Sequence, residues 1–189
     1  MLKFKKMNPL SFFDIKVSIL LNNFRNKFLD LFSLGISWIT EGGFLWFIFC
    51  FLILIFDKKH KKRKIFLLLL ALLLADWTVN VPFKLVLFCR KRPYQVIEGI
   101  RVIGKVWENC SFPSGHLAAS SAALLIIGYL YNLKKSWFIF FSTIFILFLG
   151  FARIYVGMHY LSDVLGGVIT GILSALLIIY FDHYVEWKS

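Results

Sequence analysis

Two histidines, two arginines, a lysine and an aspartate stand in three short clusters whose types and spacing suit oxyanion binding and proton transfer. The middle cluster is Cys110-Ser111-Phe112-Pro113-Ser114-Gly115-His116, a polar turn placed just before an apolar run. Proline has its φ preset and lacks an N–H that a first helical turn leaves unpaired in any case. Ser114 and Gly115 would bring a hydroxyl and unobstructed N–H groups to the positive end of a helix, where a phosphate is well held. His116, in the same turn, titrates near neutrality and can exchange a proton with whatever binds there. Taken alone, the stretch reads equally well as an ordinary helix start with a histidine facing lipid headgroups.

The last cluster is Arg153-Ile154-Tyr155-Val156-Gly157-Met158-His159-Tyr160-Leu161-Ser162-Asp163. His159 and Asp163 are four residues apart, a spacing that puts both on one helical face. A carboxylate beside an imidazole fixes its tautomer and supports positive charge on the ring. Arg153 is six residues before His159 and off that face, unless Gly157 breaks the helix and turns the arginine inward. The other reading is a snorkelling arginine beside an interfacial His–Asp pair. The first cluster runs from Lys84 to Tyr94. Lys84 lies inside an apolar run, which is costly unless it faces a polar cavity. Arg92-Pro93 marks a helix stop, and an arginine grips phosphate oxygens with a planar fork. Arg90 and Lys91 read as a basic patch for anionic lipid.

Composition says what must position these groups. Of 189 residues, 59% are hydrophobic and 19% aromatic, with 22 Phe, and the charges are clustered. The apolar runs reach membrane-spanning length, about 20 residues each. The expected fold is all-α, an integral membrane bundle of about five transmembrane helices behind an N-terminal amphipathic helix. The net charge of +12 lies mostly beside apolar segments, so anionic headgroups rather than nucleic acid are its expected counterpart. The three cysteines have no metal-ligand spacing, and the N-terminus has no signal-peptide core.

Residues 1–33 carry Asp14, Lys16, Arg25, Lys27 and Asp30, too many charges for a span, among many apolar residues. They are expected to form an amphipathic helix in the membrane interface, or one packed across the mouth of the bundle. Residues 34–189 form the transmembrane domain, with spans over 34–56, 65–88, 113–131, 136–156 and 160–181. The loop from Asp57 to Lys64 holds six Lys/Arg and is expected in the cytoplasm, as is the turn at Asn132-Leu133-Lys134-Lys135. The N-terminus is then outside and the C-terminus inside, and all three clusters meet at the outer rim. Cys89 and Cys110 bracket the outer loop. A disulfide between them would hold the loop over the site, but two reduced cysteines at an apolar interface are the favoured expectation.

Lys84 with Arg92-Pro93, then Pro113-Ser114-Gly115-His116, then Arg153, His159 and Asp163 resemble the three signature motifs of the type 2 phosphatidic acid phosphatase (PAP2) superfamily, over residues 84–163. Asn22-Asn23, Asn26 and Leu29-Asp30 resemble the short helix ahead of the core in bacterial members. The chain departs from the pattern twice. Lys84 and Arg92 are separated by seven residues where six are usual, so either the helix end is wound differently or Arg90 or Lys91 shares the phosphate. Ala152 stands where a serine commonly precedes the last motif's arginine. The resemblance implies that His159 attacks phosphorus, Asp163 orients it, and His116 protonates the leaving oxygen and then activates water. Lys84, Arg92 and Arg153, with Ser114 and Gly115, would neutralise the phosphoryl oxygens. Three fixed cations take the part of a metal ion, so metal-independent hydrolysis without a cofactor is expected.

The resemblance implies a substrate among membrane lipid phosphates: undecaprenyl diphosphate, phosphatidylglycerophosphate or the 1-phosphate of lipid A. It also implies a multi-pass enzyme of a bacterial inner membrane, its site on the outer or periplasmic face, with no obligate protein partner. A soluble sugar phosphate is the less favoured substrate. Two other classes remain: an inactive relative that binds lipid phosphates, and a transporter, which five spans without inverted repeats fit poorly.

Overall fold

Four helical stretches are long and apolar enough to cross a bilayer: Lys27–Phe56, Lys61–Leu87, Ser136–Tyr155 and Leu161–Asp182, with the shorter apolar Gly115–Leu130 among them. They come from a computed structural model that describes residues 9–87, 89–133 and 136–185. Among the described residues there is no strand. In chain order the helices are α1 (Pro9–Asn22), α2 (Lys27–Thr40), α3 (Phe44–Phe56), α4 (Lys61–Thr78), α5 (Pro93–Val96), α6 (Gly115–Leu130), α7 (Ser136–Tyr155) and α8 (Leu161–Asp182). The expected all-α membrane bundle is therefore present. Lys134 and Lys135, expected in an inner turn, lie outside the described residues.

The centre of the bundle is α6, which buries Leu117, Ala118, Ser120, Ser121, Ala122, Ala123, Ile126 and Ile127. A run of alanines and serines lets neighbouring backbones come close, the usual basis of helix packing in lipid. The closest approach is to α8. A Cβ added at Gly167 would run into the Ser114 carbonyl oxygen, and one at Gly171 into that of Ala118. Gly167 thus ties the start of α8 to the start of α6, the two places that carry the histidines. Large apolar residues such as Phe51, Leu85, Phe141 and Leu173 point outward, as lipid-facing positions do.

The N-terminal region differs from the expectation of a single helix over 1–33. Asn26 caps a new helix by accepting from the Phe28 and Leu29 N–H groups, so α2 begins at Lys27 and runs on into the first span. Asp30, a charge that counted against a span, is accommodated by partners: Arg101 forks onto it at 2.7 and 2.8 Å, and the Tyr155 hydroxyl donates to it at 2.5 Å. α1 is a separate helix packed against α7 and α8. Between α2 and α3 the first span kinks at Glu41–Gly43, where Gly42 and Gly43 take φ of 57° and 78°. Only glycine enters that left-handed region without strain.

α4 does not stop at Thr78 but widens into a π-helix over Val79–Leu87, which contains Lys84. A π turn absorbs one more residue than an α turn over the same rise. Lys84 stands in this widened segment, so the helix end ahead of Arg92 is wound differently from a regular α-helix. Cys89 and Cys110 are joined in a disulfide with Cα atoms 4.9 Å apart. This overturns the favoured expectation of two reduced cysteines; the loop folds back so that its two ends meet.

At the opposite end of the bundle, Asp57 accepts from Lys64 at 2.5 Å and from the Tyr131 hydroxyl at 2.8 Å, while Asp182 pairs with Arg63 and Tyr129. Lys64 first, then Tyr131, hold the Asp57 carboxyl down to about 2. These clamps tie α4, α6 and α8 together at the basic end, leaving the other end to the site.

Candidate active site

α7 ends at Tyr155, and a five-residue reversal leads into α8 at Leu161. Gly157, at φ 80°, makes the reversal possible; a Cβ there would meet the Arg101 carbonyl oxygen at 2.8 Å. The expected break at Gly157 is therefore present, and through it the His159 N–H donates to the Arg153 carbonyl at 3.2 Å. His159 precedes α8 rather than lying on it, so its meeting with Asp163 is not the helical i,i+4 contact the spacing suggested. Asp163 instead caps the helix, accepting the Tyr160 N–H through Oδ2 at 2.8 Å, and the same oxygen lies 3.7 Å from His159 Nδ1.

A cavity of about 630 Å³ opens beside this reversal. Lys84, Arg92, Gly115, His116, Arg153 and His159 all line it. Ser114 and Asp163, fully buried, sit behind the lining. Ser114 is the N-cap of α6, and its N–H donates to the Asp163 carbonyl at 3.0 Å. Pro113 lies before that cap, in a cis bond to Phe112, rather than in the first helical turn. All eight expected site residues thus gather at one place, six on the wall and two as its support.

Arg92 is 3% exposed and fastened on every side. Its Nε and Nη2 donate to the Asn109 carbonyl and side-chain oxygens at 2.9 and 2.5 Å, and Nη1 donates to the Met158 carbonyl at 2.9 Å. Nη1 is also 3.4 Å from His159 Nε2. Burial first, then the Arg153, Arg92 and Lys84 charges, push the His159 pKa well below its ordinary value. A neutral imidazole results, with a lone pair available to attack while three cations face the same space. Arg153 Nε, Ser114 Oγ and His159 Nδ1 are buried without a hydrogen-bond partner in the protein. Buried polar atoms are nearly always paired, so the unpaired Nε of Arg153, a cavity-lining residue, suits a polar ligand.

Sequence reasoning missed several contributors. Asn109 anchors Arg92, yet in the sequence it is only a polar loop residue. The Ser37 carbonyl of α2 lies beside the His116 ring, a neighbour no motif reports. Arg90 and Lys91 do not share the Lys84 position: Lys91 is exposed, and Arg90 turns to Asp14 and Asp163. Lys105, bonded to Glu41 at 3.0 Å and lying 4.0 Å above the Trp107 ring, links two residues that line the cavity. Phe47, Leu69, Leu72 and Leu73 make part of the cavity wall apolar.

Comparison with known proteins agrees with this geometry. Phosphatidylglycerophosphatase B of Bacillus subtilis (strain 168) is 34% identical over 42% of this chain and 42% of its own length. Undecaprenyl-diphosphatase BcrC of the same organism is 32% identical over 60% of this chain and 55% of its own. The chain thus matches about half the length of these curated relatives. Among solved structures, Aquifex aeolicus LpxE superposes with a TM-score of 0.75 at 24% identity, over 88% of this chain and 94% of that one. A transmembrane PAP2-type phosphatidylglycerolphosphate phosphatase from Bacillus subtilis gives 0.78 at 23% identity, over 97% and 90%. At such identities the likeness is one of fold. The family is decided by the model of the PAP2 superfamily, which matches residues 64–187 and so takes in all three clusters. The chain belongs to the PAP2 superfamily.

Proposed function

We propose that the protein is a lipid phosphatase that hydrolyses a phosphate ester or diphosphate of a membrane lipid through a phosphohistidine on His159. The observation that carries this reading is one cavity lined by two histidines, three cations and a set of apolar side chains. Such a shape suits a substrate whose phosphate is gripped while its hydrocarbon chains stay among the helices. His159 Nε2 attacks phosphorus, and Asp163 takes up the positive charge growing on the ring through Nδ1–H. Lys84, Arg92 and Arg153 stabilise the equatorial oxygens, which need electrostatic help more than covalent chemistry. His116 donates a proton to the departing oxygen, then takes one from the water that frees His159.

The names of the relatives support phosphatidylglycerophosphate, undecaprenyl diphosphate and a lipid A phosphate as the substrates to try first. The test is phosphate release by purified protein from these three lipids in detergent, with and without EDTA. Release from at least one of them, unchanged by chelation, is the expected result. No release from any, or release only with added Mg²⁺, would sink the reading.

The site is proposed to face the outside of the cell membrane, because the six Lys/Arg between Asp57 and Lys64 mark the opposite end as cytoplasmic. Glu98 and His60 are both exposed, one at each end. In intact cells an impermeant thiol reagent should label Glu98→Cys and spare His60→Cys. The reverse pattern would put hydrolysis on the cytoplasmic side.

A further inference from the structure

Asp14 stands out on α1, a helix that otherwise shows lipid its apolar side. Leu10, Phe12, Phe13, Ile19 and Leu20 are exposed, whereas Asp14, Ser18 and Asn22, four residues apart, face the protein and are each about 1% exposed. A carboxylate buried this deeply needs partners that use its charge. Asp14 Oδ1 accepts the Ser162 N–H at 2.9 Å; Oδ2 accepts the Ser162 hydroxyl at 2.5 Å and Arg90 Nη2 at 2.8 Å. Arg90 Nη1 donates in turn to Ser162 Oγ at 2.6 Å and to Asp163 Oδ1 at 3.1 Å. The guanidinium lies 3.7 Å above the Tyr160 ring, and the backbone carbonyl of Arg90 accepts the Ser111 N–H at 2.8 Å.

The chain of contacts runs from α1 to the nucleophile: Asp14 to Arg90, Arg90 to Asp163, Asp163 to His159. We infer that Asp14 is a positioning residue for catalysis, holding the Arg90 fork so that one N–H fixes Asp163 Oδ1 while Oδ2 remains directed at His159. This rests on the phosphatase reading above. Asp14 lies outside the stretch matched by the family model, residues 64–187, so the inference adds an element to the site from the chain's N-terminal helix. Its physical need follows from exposure. The Arg90 side chain is 29% exposed, and without a buried anchor it can swing toward headgroup phosphates. Asp163 would then keep the Tyr160 N–H and lose the Arg90 guanidinium. The phosphate cradle of Lys84, Arg92 and Arg153 touches neither Asp14 nor Arg90, so binding should survive where turnover suffers.

The experiment measures phosphate release for Asp14→Asn, Asp14→Glu and Arg90→Lys, each alone and in an Asp163→Asn background, on a lipid the wild type hydrolyses. Asp14→Asn and Arg90→Lys should each lower kcat about 10- to 100-fold, as loss of an outer partner of a site ligand does, with KM nearly unchanged. Asp14→Glu should restore part of the loss. In the Asp163→Asn background the same changes should cost less than about twofold, because residues acting through one group are not additive. Arg90→Lys keeps the charge but not the fork, so it still reports if Asp14→Asn does not fold. A full, additive loss in the Asp163→Asn background would mean a merely structural role and overturn the inference, as would an unchanged kcat or a loss confined to KM. Wild-type release alongside unaffected variants defeats this relay alone; absence of wild-type release removes the phosphatase reading with it.

Discussion

His159→Ala protein should release no phosphate above background from any lipid the wild type hydrolyses, a loss of about 10⁴-fold or more. Its size follows from where the side chain stands. Nε2 faces the cavity 3.4 Å from Arg92 Nη1, so an oxyanion held by that arginine is within reach of the lone pair. Burial and three neighbouring cations keep the ring neutral, and a neutral ring is the one that can attack. His116, at the start of α6, is the other imidazole lining the cavity, and the proposed reaction uses it as the acid and base. The measurement is a rapid quench into alkaline denaturant with ³²P-labelled substrate. Wild type should carry label on histidine during turnover, and His159→Ala should carry none. An active His159→Ala protein, or one that still takes up label, would mean that another group is the nucleophile.

The cations proposed to bind phosphate also hold the His159 ring unprotonated. In the proposed reaction an arriving phosphate would offset their charge, so the ring would become easier to protonate as its own phosphoryl group forms and Asp163 supports it. One electrostatic arrangement would then serve binding in the free protein and stabilisation of the transition state. It depends on the cations being fixed in place. Arg92 is fixed by Asn109 and Met158, whereas Arg153 leaves Nε unpaired and Lys84 stands in a widened turn.

The bundle was legible in the sequence because hydrocarbon imposes apolar runs of fixed length, and the site because three clusters fell on one rim once those runs were threaded. The exact ends were not. A π turn at Val79–Leu87 leaves the residue pattern of an ordinary apolar helix, so the extra residue after Lys84 looked like a broken motif. The helix starting at Lys27 was hidden by Arg25, Lys27 and Asp30, charges that count against a span until Arg101 and Tyr155 are seen to receive Asp30. Cys89 and Cys110 are 21 residues apart, and only the folded loop brings them together. Asp14 could not be connected with Asp163 at all, since they are 149 positions apart and meet through Ser162 and Arg90. Contacts between distant segments leave no period or spacing to read.

His116→Ala is the second large effect, and its dependence on the leaving group is what identifies the role. His116 sits in the first turn of α6 on the cavity wall, with the Ser37 carbonyl beside its ring. A carbonyl on one side of the ring favours a donating nitrogen there and leaves the other nitrogen for substrate in the proposed role. For a lipid monoester, whose alkoxide leaves poorly, kcat should fall about 10²- to 10⁴-fold, the range for loss of a general acid. For an aryl phosphate, which needs no proton on departure, the first step should stay fast. Water attack on phosphohistidine would still lack its base, so the variant should give a burst close to one equivalent of phenolate, followed by slow turnover. Wild type should show little burst, because His116 serves both halves. The same assay on His159→Ala should show neither burst nor turnover, which separates the two histidines in one experiment. Equal losses for both substrates with no burst would mean that His116 merely packs the start of α6, and the acid–base assignment would fall.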